Sequence, residues 1–142
     1  MPKPILSDSL FNADDVATAI LSEANLQVAN SDLGVTDITS EFIMQTGFTS
    51  TSMKAYTFNG FIFFNAKVNH NGGAPSNGEK FIQINNSNHY PNSTYLTSSI
   101  AFQGDYSDRI EIRNDGGFYV IQPVDQGSTT YIMNLNLWFN FS

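Results

Sequence analysis

The chain has 142 residues, of which 41% are hydrophobic and 13% charged, a length that fits about one domain with a core of its own. Six basic residues against 13 acidic ones give a net charge of −7, which excludes the clustered Lys and Arg that nucleic acids and anionic membranes require. Cysteine is absent, which excludes disulfides and thiolate metal sites, and no stretch approaches the ~18 apolar residues of a membrane span.

Residues 1–35 are predicted to form a helical segment for attachment and trimerisation. Within it, NADDVATAILSEAN (12–25) begins with a helix N-cap residue and has two carboxylates in the first turn. Val16, Ile20 and Ala24 lie on one apolar stripe at helical spacing. So short a helix needs this stripe covered, either by the domain's own sheet or by the same helix of neighbouring subunits. We favour the second, which makes the three residues an oligomer interface.

Residues 36–142 are predicted to form a β-sandwich head of about eight antiparallel strands. In chain order the strands are TDITSEFIM, SMKAYTFN, FIFFNAKVN, KFIQI, YLTSSIAF, DRIEIR, GFYVIQ and TYIMNLNLWFNF. The dipeptide Asn59-Gly60 predicts a tight hairpin turn, and NDGG predicts another between DRIEIR and GFYVIQ. Many short strands with regular turns and no second helix are typical of a mainly β, jelly-roll-like sandwich.

The terminal strand alternates strictly and carries the only tryptophan on its polar side. Tyr131 and the residues at every second position after it form an apolar face, whereas Trp138 lies between Asn136 and Asn140 on the other. Three interpretations stay open for so bulky a ring. A loop of the same domain covers it, a subunit interface buries it, or it stacks on a sugar whose hydroxyls the asparagines bind.

The motifs of common catalytic sites are absent from the sequence. It has no nucleophile elbow, no phosphate-binding glycine loop and no His-Glu-x-x-His helix. Asp108 and Glu111 fall on opposite faces of a regular strand, so they are not expected to converge as a glycosidase pair. We therefore expect no enzyme activity and no cofactor or metal, with a calcium site around Asp105 and Asp108 as a less favoured alternative.

Recognition of a saccharide is the favoured interpretation of the polar loops. The loop at 85–92 surrounds an aromatic ring with amide groups, the combination that sugar sites use. His89 and Tyr90 are its candidates for touching a ligand or a neighbouring subunit. The complete predicted saccharide-binding set is Trp138, Asn136, Asn140, His89, Tyr90, Asp105 and Arg109.

Several stretches together resemble receptor-binding and related baseplate proteins of tailed phages that infect Gram-positive bacteria. They are LGVTDITSEFIMQTGF, AYTFNGFIFFNAKV, His89-Tyr90-Pro91, DRIEIRNDGGFYVIQP and YIMNLNLWFNF. The resemblance implies a homotrimer whose N-terminal segments attach to other tail proteins and whose heads bind the host's cell-wall polysaccharide. The place implied is the virion, at the tail tip or baseplate. The chain's start lacks a signal-peptide pattern, so synthesis in the host cytoplasm is expected. A structural or accessory baseplate subunit without its own ligand is the alternative.

Overall fold

The structure, a computed structural model, describes residues 33–101, 107–125, 127 and 129–141. These residues form nine strands: β1 (Thr36–Asp37), β2 (Phe42–Met44), β3 (Phe48–Phe58), β4 (Phe61–Asn71), β5 (Glu79–Ile84), β6 (Tyr95–Ala101), β7 (Ser107–Ile112), β8 (Gly117–Gln122) and β9 (Thr130–Asn140). Two 3₁₀ turns, Thr39–Glu41 and Ser87–His89, lie between strands. The predicted helix with Val16, Ile20 and Ala24 lies outside the described residues, so that prediction and the proposed division after residue 35 stay untested.

The strands form an antiparallel sandwich, as predicted. Their order is β1-β3-β4-β9-β6-β7-β8-β5-β2, and every neighbouring pair is antiparallel. Within the described residues, β6 pairs with β9 only at Ile100 and Ala101. The sheet folds at this short junction into one layer of β1-β3-β4-β9 and a second of β6-β7-β8-β5-β2.

Aromatic rings from both layers fill the space between them. The Phe64 ring of β4 stacks on Phe42 of β2 with centroids 5.0 Å apart, and it meets Phe118 of β8 edge-on at 5.2 Å. Phe118 also packs against Phe139 of β9 at 5.9 Å. All four side chains are buried. Tyr131, Met133, Leu135 and Leu137 of β9 are buried as well, so the apolar face predicted for the terminal strand is confirmed as a core face.

The first predicted strand, TDITSEFIM, is wrong as a single element. The chain makes β1, a 3₁₀ turn and β2 in its place, with β1 on β3 in one layer and β2 on β5 in the other. The carboxylate of Asp37 accepts the Thr39 N–H at 2.9 Å, and the hydrogen bonds from Thr39 lower the pKa of Asp37. This Asp-centred turn ends the first strand and lets the chain cross between the layers.

The predicted hairpin turn at Asn59-Gly60 is confirmed. Both residues have positive φ angles, 50° and 79°, which a two-residue hairpin turn of this kind requires. The turn sets Phe58 of β3 directly opposite Phe61 of β4. Because side chains alternate along each strand, this register determines which aromatic residues share the outer face of the layer.

Candidate functional site

Five aromatic side chains lie side by side on the outer face of the β3-β4-β9 layer, and we call this set the aromatic face. The residues are Tyr56, Phe58, Phe61, Phe63 and Trp138. Tyr56, Phe63 and Trp138 form one row, because Phe63 is the register partner of the other two. Phe58 and Phe61 form a second row, which ends at Asn140. Residues directly opposite on neighbouring strands have Cβ atoms about 5 Å apart, so the rings make one continuous apolar surface.

The indole of Trp138 is the most exposed ring of this face. It is 64% exposed, and Phe63 and Phe58 beside it are 44% and 39% exposed. The interpretation that a loop of the same domain covers Trp138 is therefore wrong for the part of the chain that the structure describes. The indole meets the ring of Phe61 edge-on, with centroids 5.4 Å apart, so Phe61 supports one edge of it.

Amide side chains border the aromatic face along the same strands. Asn65 of β4 is the register partner of Asn136 of β9, and Lys67 is the partner of Asn134. Beside these residues lies a cavity of about 210 Å³, here called the polar depression. Its polar lining is Ser52, Asn65, Lys67, Ser98, Asn134 and Asn136. Of the residues predicted to bind saccharide, Asn136 thus lines a cavity, and Trp138 lies two residues further along the same strand.

A larger cavity of about 370 Å³ lies on the outer face of the other layer, and we call it the Arg109 groove. Ser98, Arg109 and Gln122 face one another across β6, β7 and β8. The groove is lined by Leu96, Ser98, Ser107, Arg109, Gln122 and Val124 among others. Thr97 and the buried Asp108 also border it, and Leu96 and Val124 are exposed apolar side chains. The groove thus combines one exposed guanidinium and several neutral polar groups with apolar walls, above a carboxylate that is buried beneath the strand.

His89 and Tyr90 are held by contacts within the domain. The Nδ1 atom of His89 lies 2.5 Å from Oε2 of Glu41, and the ring meets Phe141 edge-on at 5.0 Å. The Tyr90 ring covers Gly116 so closely that a Cβ atom there would lie 2.5 Å from it. The contacts of His89 and Tyr90 are therefore with Glu41, Phe141 and Gly116, and neither residue takes part in the contact between Trp138 and Phe61.

Asp108 is a buried structural carboxylate. Its side chain is fully buried and accepts hydrogen bonds from the Tyr131 hydroxyl and, at 2.9 Å, from the Val124 N–H. Burial, with the neighbouring carboxylate as the second cause, raises the pKa of Tyr131 far above its usual value. Glu111 lies on the other face of β7, as predicted, where it accepts a 3.1 Å hydrogen bond from Arg113.

A polar network covers the outer side of the β7–β8 hairpin. The guanidinium of Arg113 stacks 3.9 Å above the Tyr119 ring centre, and the Tyr119 hydroxyl donates to Asp115 at 2.6 Å. Burial raises the pKa of Asp115, but the hydrogen bonds from Tyr119 and the Gly117 N–H and nearby positive charge outweigh it, and the net pKa is lowered. Arg113 therefore has both its carboxylate partner, Glu111, and its stacking partner, Tyr119, within the domain.

Asp105 lies outside the described residues, so its predicted role is untested. In the described ranges, no group of three or more His, Cys, Asp or Glu side chains is placed to hold a metal ion. No helix among those residues has the length and apolarity needed to span a membrane.

Sequence reasoning placed Trp138 among asparagines but did not find the four aromatic rings beside it. The alternation of β4 does put Phe61 and Phe63 on the face opposite the core. Which strand lies next to β9 is decided by contacts between distant parts of the chain, and the alternation of one strand carries no information about it.

Comparison of the structure with solved structures supports the resemblance drawn from the sequence. The receptor-binding protein of Listeria phage PSA matches with a TM-score of 0.60 and 12% identity, covering 100% of this chain and 89% of that one. The head domain of lactococcal phage bIL170, described among receptor-binding domains, matches with a TM-score of 0.52 and 11% identity, covering 72% of this chain and 96% of that one. No protein-family model and no curated protein matches the sequence. The predicted resemblance to phage receptor-binding proteins is thus confirmed at the level of the fold.

Proposed function

We propose that the chain is a receptor-binding head of a phage tail, located in the virion, and that it attaches to saccharide on the host cell wall. The observation that carries this proposal is the aromatic face with its exposed Trp138, bordered by the amides of Asn65 and Asn136. The fold shared with phage receptor-binding proteins supports the receptor-binding part. The saccharide part rests on the chemistry of the face alone.

The aromatic face and the polar depression supply the two kinds of contact that a sugar needs. The apolar face of a pyranose ring packs on an exposed indole, and sugar hydroxyls both donate to amide oxygens and accept from amide nitrogens. Asn136 lies two residues from Trp138 on the same strand, so both side chains point from one face of the sheet. A sugar stacked on Trp138 therefore lies beside the amide groups of Asn136 and of its register partner Asn65.

Attachment without bond cleavage is part of the proposal. A glycosidase requires two carboxyl groups that flank one glycosidic bond. Asp108 is fully buried and bound by Tyr131 and the Val124 N–H, whereas Glu111 lies on the opposite face of the strand and binds Arg113. This arrangement favours binding over hydrolysis by these two residues.

A structural or accessory baseplate subunit is the second candidate function. The exposure of Phe58, Phe63 and Trp138 favours it, because neighbouring exposed aromatic rings are also typical of protein interfaces. In that case the aromatic face would bind another subunit and no saccharide. The two candidates therefore differ in what covers Trp138.

Homotrimer formation and attachment to other tail proteins through residues 1–35 are further parts of the proposal. Ile20→Asp places an unpaired charge in the proposed contact between helices, so we expect the variant to lose its trimeric mass in light scattering. A variant that keeps the mass of the wild type would contradict assembly through this stripe.

The proposed function is tested by adding fluorescently labelled protein to intact Gram-positive cells and to their extracted wall polysaccharide. We expect labelling of the cells, competition by the polysaccharide, and weaker binding by folded Trp138→Ala. Absence of binding across a broad panel of strains, from a stable trimer, would favour the structural subunit. Sugar released from the polysaccharide would show that the protein is an enzyme after all.

A further inference from the structure

The polar depression and the Arg109 groove are two parts of one surface. Ser98 of β6 lines both cavities. Ile100 of β6 pairs with Asn134 of β9. Two residues along each strand from this pair, Ser98 and Asn136 lie on the same face as the pair because side chains alternate along a strand. On its other side Ser98 is the register partner of Arg109. One row of side chains therefore leads from the amides of β9 to the guanidinium of β7.

Arg109 is an exposed cation without a carboxylate partner among the described residues. The ion pairs of those residues join Glu41 to His89 and Glu111 to Arg113, and neither involves Arg109. The adjacent carboxylate of Asp108 is fully buried on the other side of the strand, where Tyr131 and the Val124 N–H bind it. The only other arginine, Arg113, already binds Glu111 and stacks on Tyr119.

A guanidinium that has no carboxylate partner among the described residues favours an anionic ligand in a groove of this lining. Arginine presents several N–H donors in one plane, which match two oxygens of a carboxylate or phosphate. Ser98, Ser107 and Gln122 around it add neutral donors that can bind the remaining oxygens. The chain as a whole has a net charge of −7, so its overall field does not attract an anion. In this groove the local attraction comes from Arg109, whereas Lys67 lines the neighbouring polar depression.

We propose that the Arg109 groove is a second subsite of the saccharide surface and that it binds an acidic substituent, a carboxylate or a phosphate, of the same glycan chain. This inference rests on the proposed function. From Asn136 to Arg109 the row crosses β6, and two spacings between paired strands would amount to about 10 Å. Among the described residues β6 and β9 pair only at Ile100 and Ala101, so the two strands are farther apart at Ser98. The ligand is therefore a chain of at least two sugar units, with one unit in the polar depression and the acidic group at Arg109.

Nuclear magnetic resonance tests the subsite directly, because two arginines give two side-chain Nε–H signals. The probes are methyl glucoside, glucuronic acid and glucose 1-phosphate, which are neutral, carboxylate-bearing and phosphate-bearing. We expect an acidic probe to shift the Arg109 signal and the neutral probe to leave it in place, with Arg113 unmoved. Equal shifts of both arginine signals, or no shift of Arg109 at millimolar probe, would overturn the inference.

Affinity measurements separate this inference from the proposed function. The ligands are wall polysaccharide from cells that the protein labels, the same material with phosphodiesters removed, and the same material with carboxyl groups reduced. We expect Arg109→Gln to lower the affinity for the native polysaccharide about tenfold and to bind native and de-acidified material alike. Arg113→Gln, the matched control on the same hairpin, should bind as the wild type does.

The treatment that weakens wild-type binding identifies the acidic group as phosphate or carboxylate. If Arg109→Gln binds normally while Trp138→Ala binds weakly, the subsite is wrong and the proposed function stands. If the wild-type protein binds no polysaccharide, both are wrong.

Discussion

The indole of Trp138 meets the ring of Phe61 edge-on, with the ring centroids 5.4 Å apart and the planes at 72°. Phe61 supports one edge of the indole and leaves 64% of the tryptophan accessible. A ring contact of this kind favours one orientation of the indole and so reduces the conformational entropy lost when a ligand stacks on it. The pair is therefore the part of the aromatic face best prepared for a flat apolar ligand surface.

Trp138→Ala should lower affinity for the wall polysaccharide about tenfold, because an aromatic contact of this kind contributes about 0.5–1.5 kcal/mol beyond its buried area. The free energy of unfolding should change by less than about 1 kcal/mol, since the indole is mostly exposed. Ile43→Ala, at an apolar residue 45% exposed on β2, is the matched control and should leave affinity unchanged. Loss of the folded state in Trp138→Ala would show that the indole is structural.

Tyr131→Phe should destabilise the fold by about 1–3 kcal/mol at neutral pH, because the buried carboxylate of Asp108 loses a hydrogen-bond donor. Tyr56→Phe, at a half-buried tyrosine of the outer face, is the control and should change stability less. Urea unfolding of both variants provides the measurement. Equal stability of Tyr131→Phe and wild type would mean that this hydrogen bond contributes nothing.

Stability at alkaline pH should also depend on Tyr131. Its pKa is raised in the folded state above the unfolded value of about 10, so its contribution is complete below about pH 10. That contribution is lost as the pH rises toward the folded-state pKa, because the unfolded chain gives up the phenolic proton first. Between about pH 10 and 11, wild type should lose stability more steeply than Tyr131→Phe. Parallel curves would contradict this account.

Gly116→Ala should destabilise the domain more than Gly78→Ala. Both glycines have positive φ angles, 78° and 81°, so each substitution carries backbone strain of about 1–2 kcal/mol. Only at Gly116 would the new Cβ atom collide with the Tyr90 ring, whereas nothing lies within 4 Å at Gly78. The collision should add about 1–3 kcal/mol to the loss in chemical unfolding. Equal losses would show that the Tyr90 ring moves away freely.

His89→Ala should lower the free energy of unfolding by about 1 kcal/mol, because the ring joins Glu41 to Phe141 and so ties the 85–92 loop to two other segments. Asn88→Ala, at the exposed residue next to it, should have little effect. Polysaccharide binding by the same two variants tests the predicted ligand role of His89. A loss of affinity in stable His89→Ala alone would establish that role.

The sequence was sufficient to predict strands whose own residues carry the pattern. In β9 every second side chain from Tyr131 to Phe139 is buried, because strict alternation allows only one face to meet the core. The turn at Asn59-Gly60 was equally predictable, since the dipeptide favours the positive φ angles found there. The break at Asp37 was not, because Asp37 and Thr39 form a turn inside what alternation alone makes a strand.

The candidate site was predictable in part for the same physical reason. Trp138 and Asn136 share a strand, so their common face follows from sequence spacing. Tyr56 and Phe63 lie beside Trp138 only because β3, β4 and β9 pair in one particular register. Ser98 lies beside Arg109 because of the register between β6 and β7. Such registers depend on long-range packing, which the pattern of a single strand does not specify.

The most direct measurement of the central claim uses the fluorescence of the one tryptophan, Trp138, during titration with wall polysaccharide. We predict that the emission shifts to shorter wavelength and that acrylamide quenches it less as the polysaccharide binds, because a sugar on the indole excludes water. Binding detected by an independent method, with tryptophan emission and quenching unchanged, would contradict the claim that the aromatic face is the saccharide site.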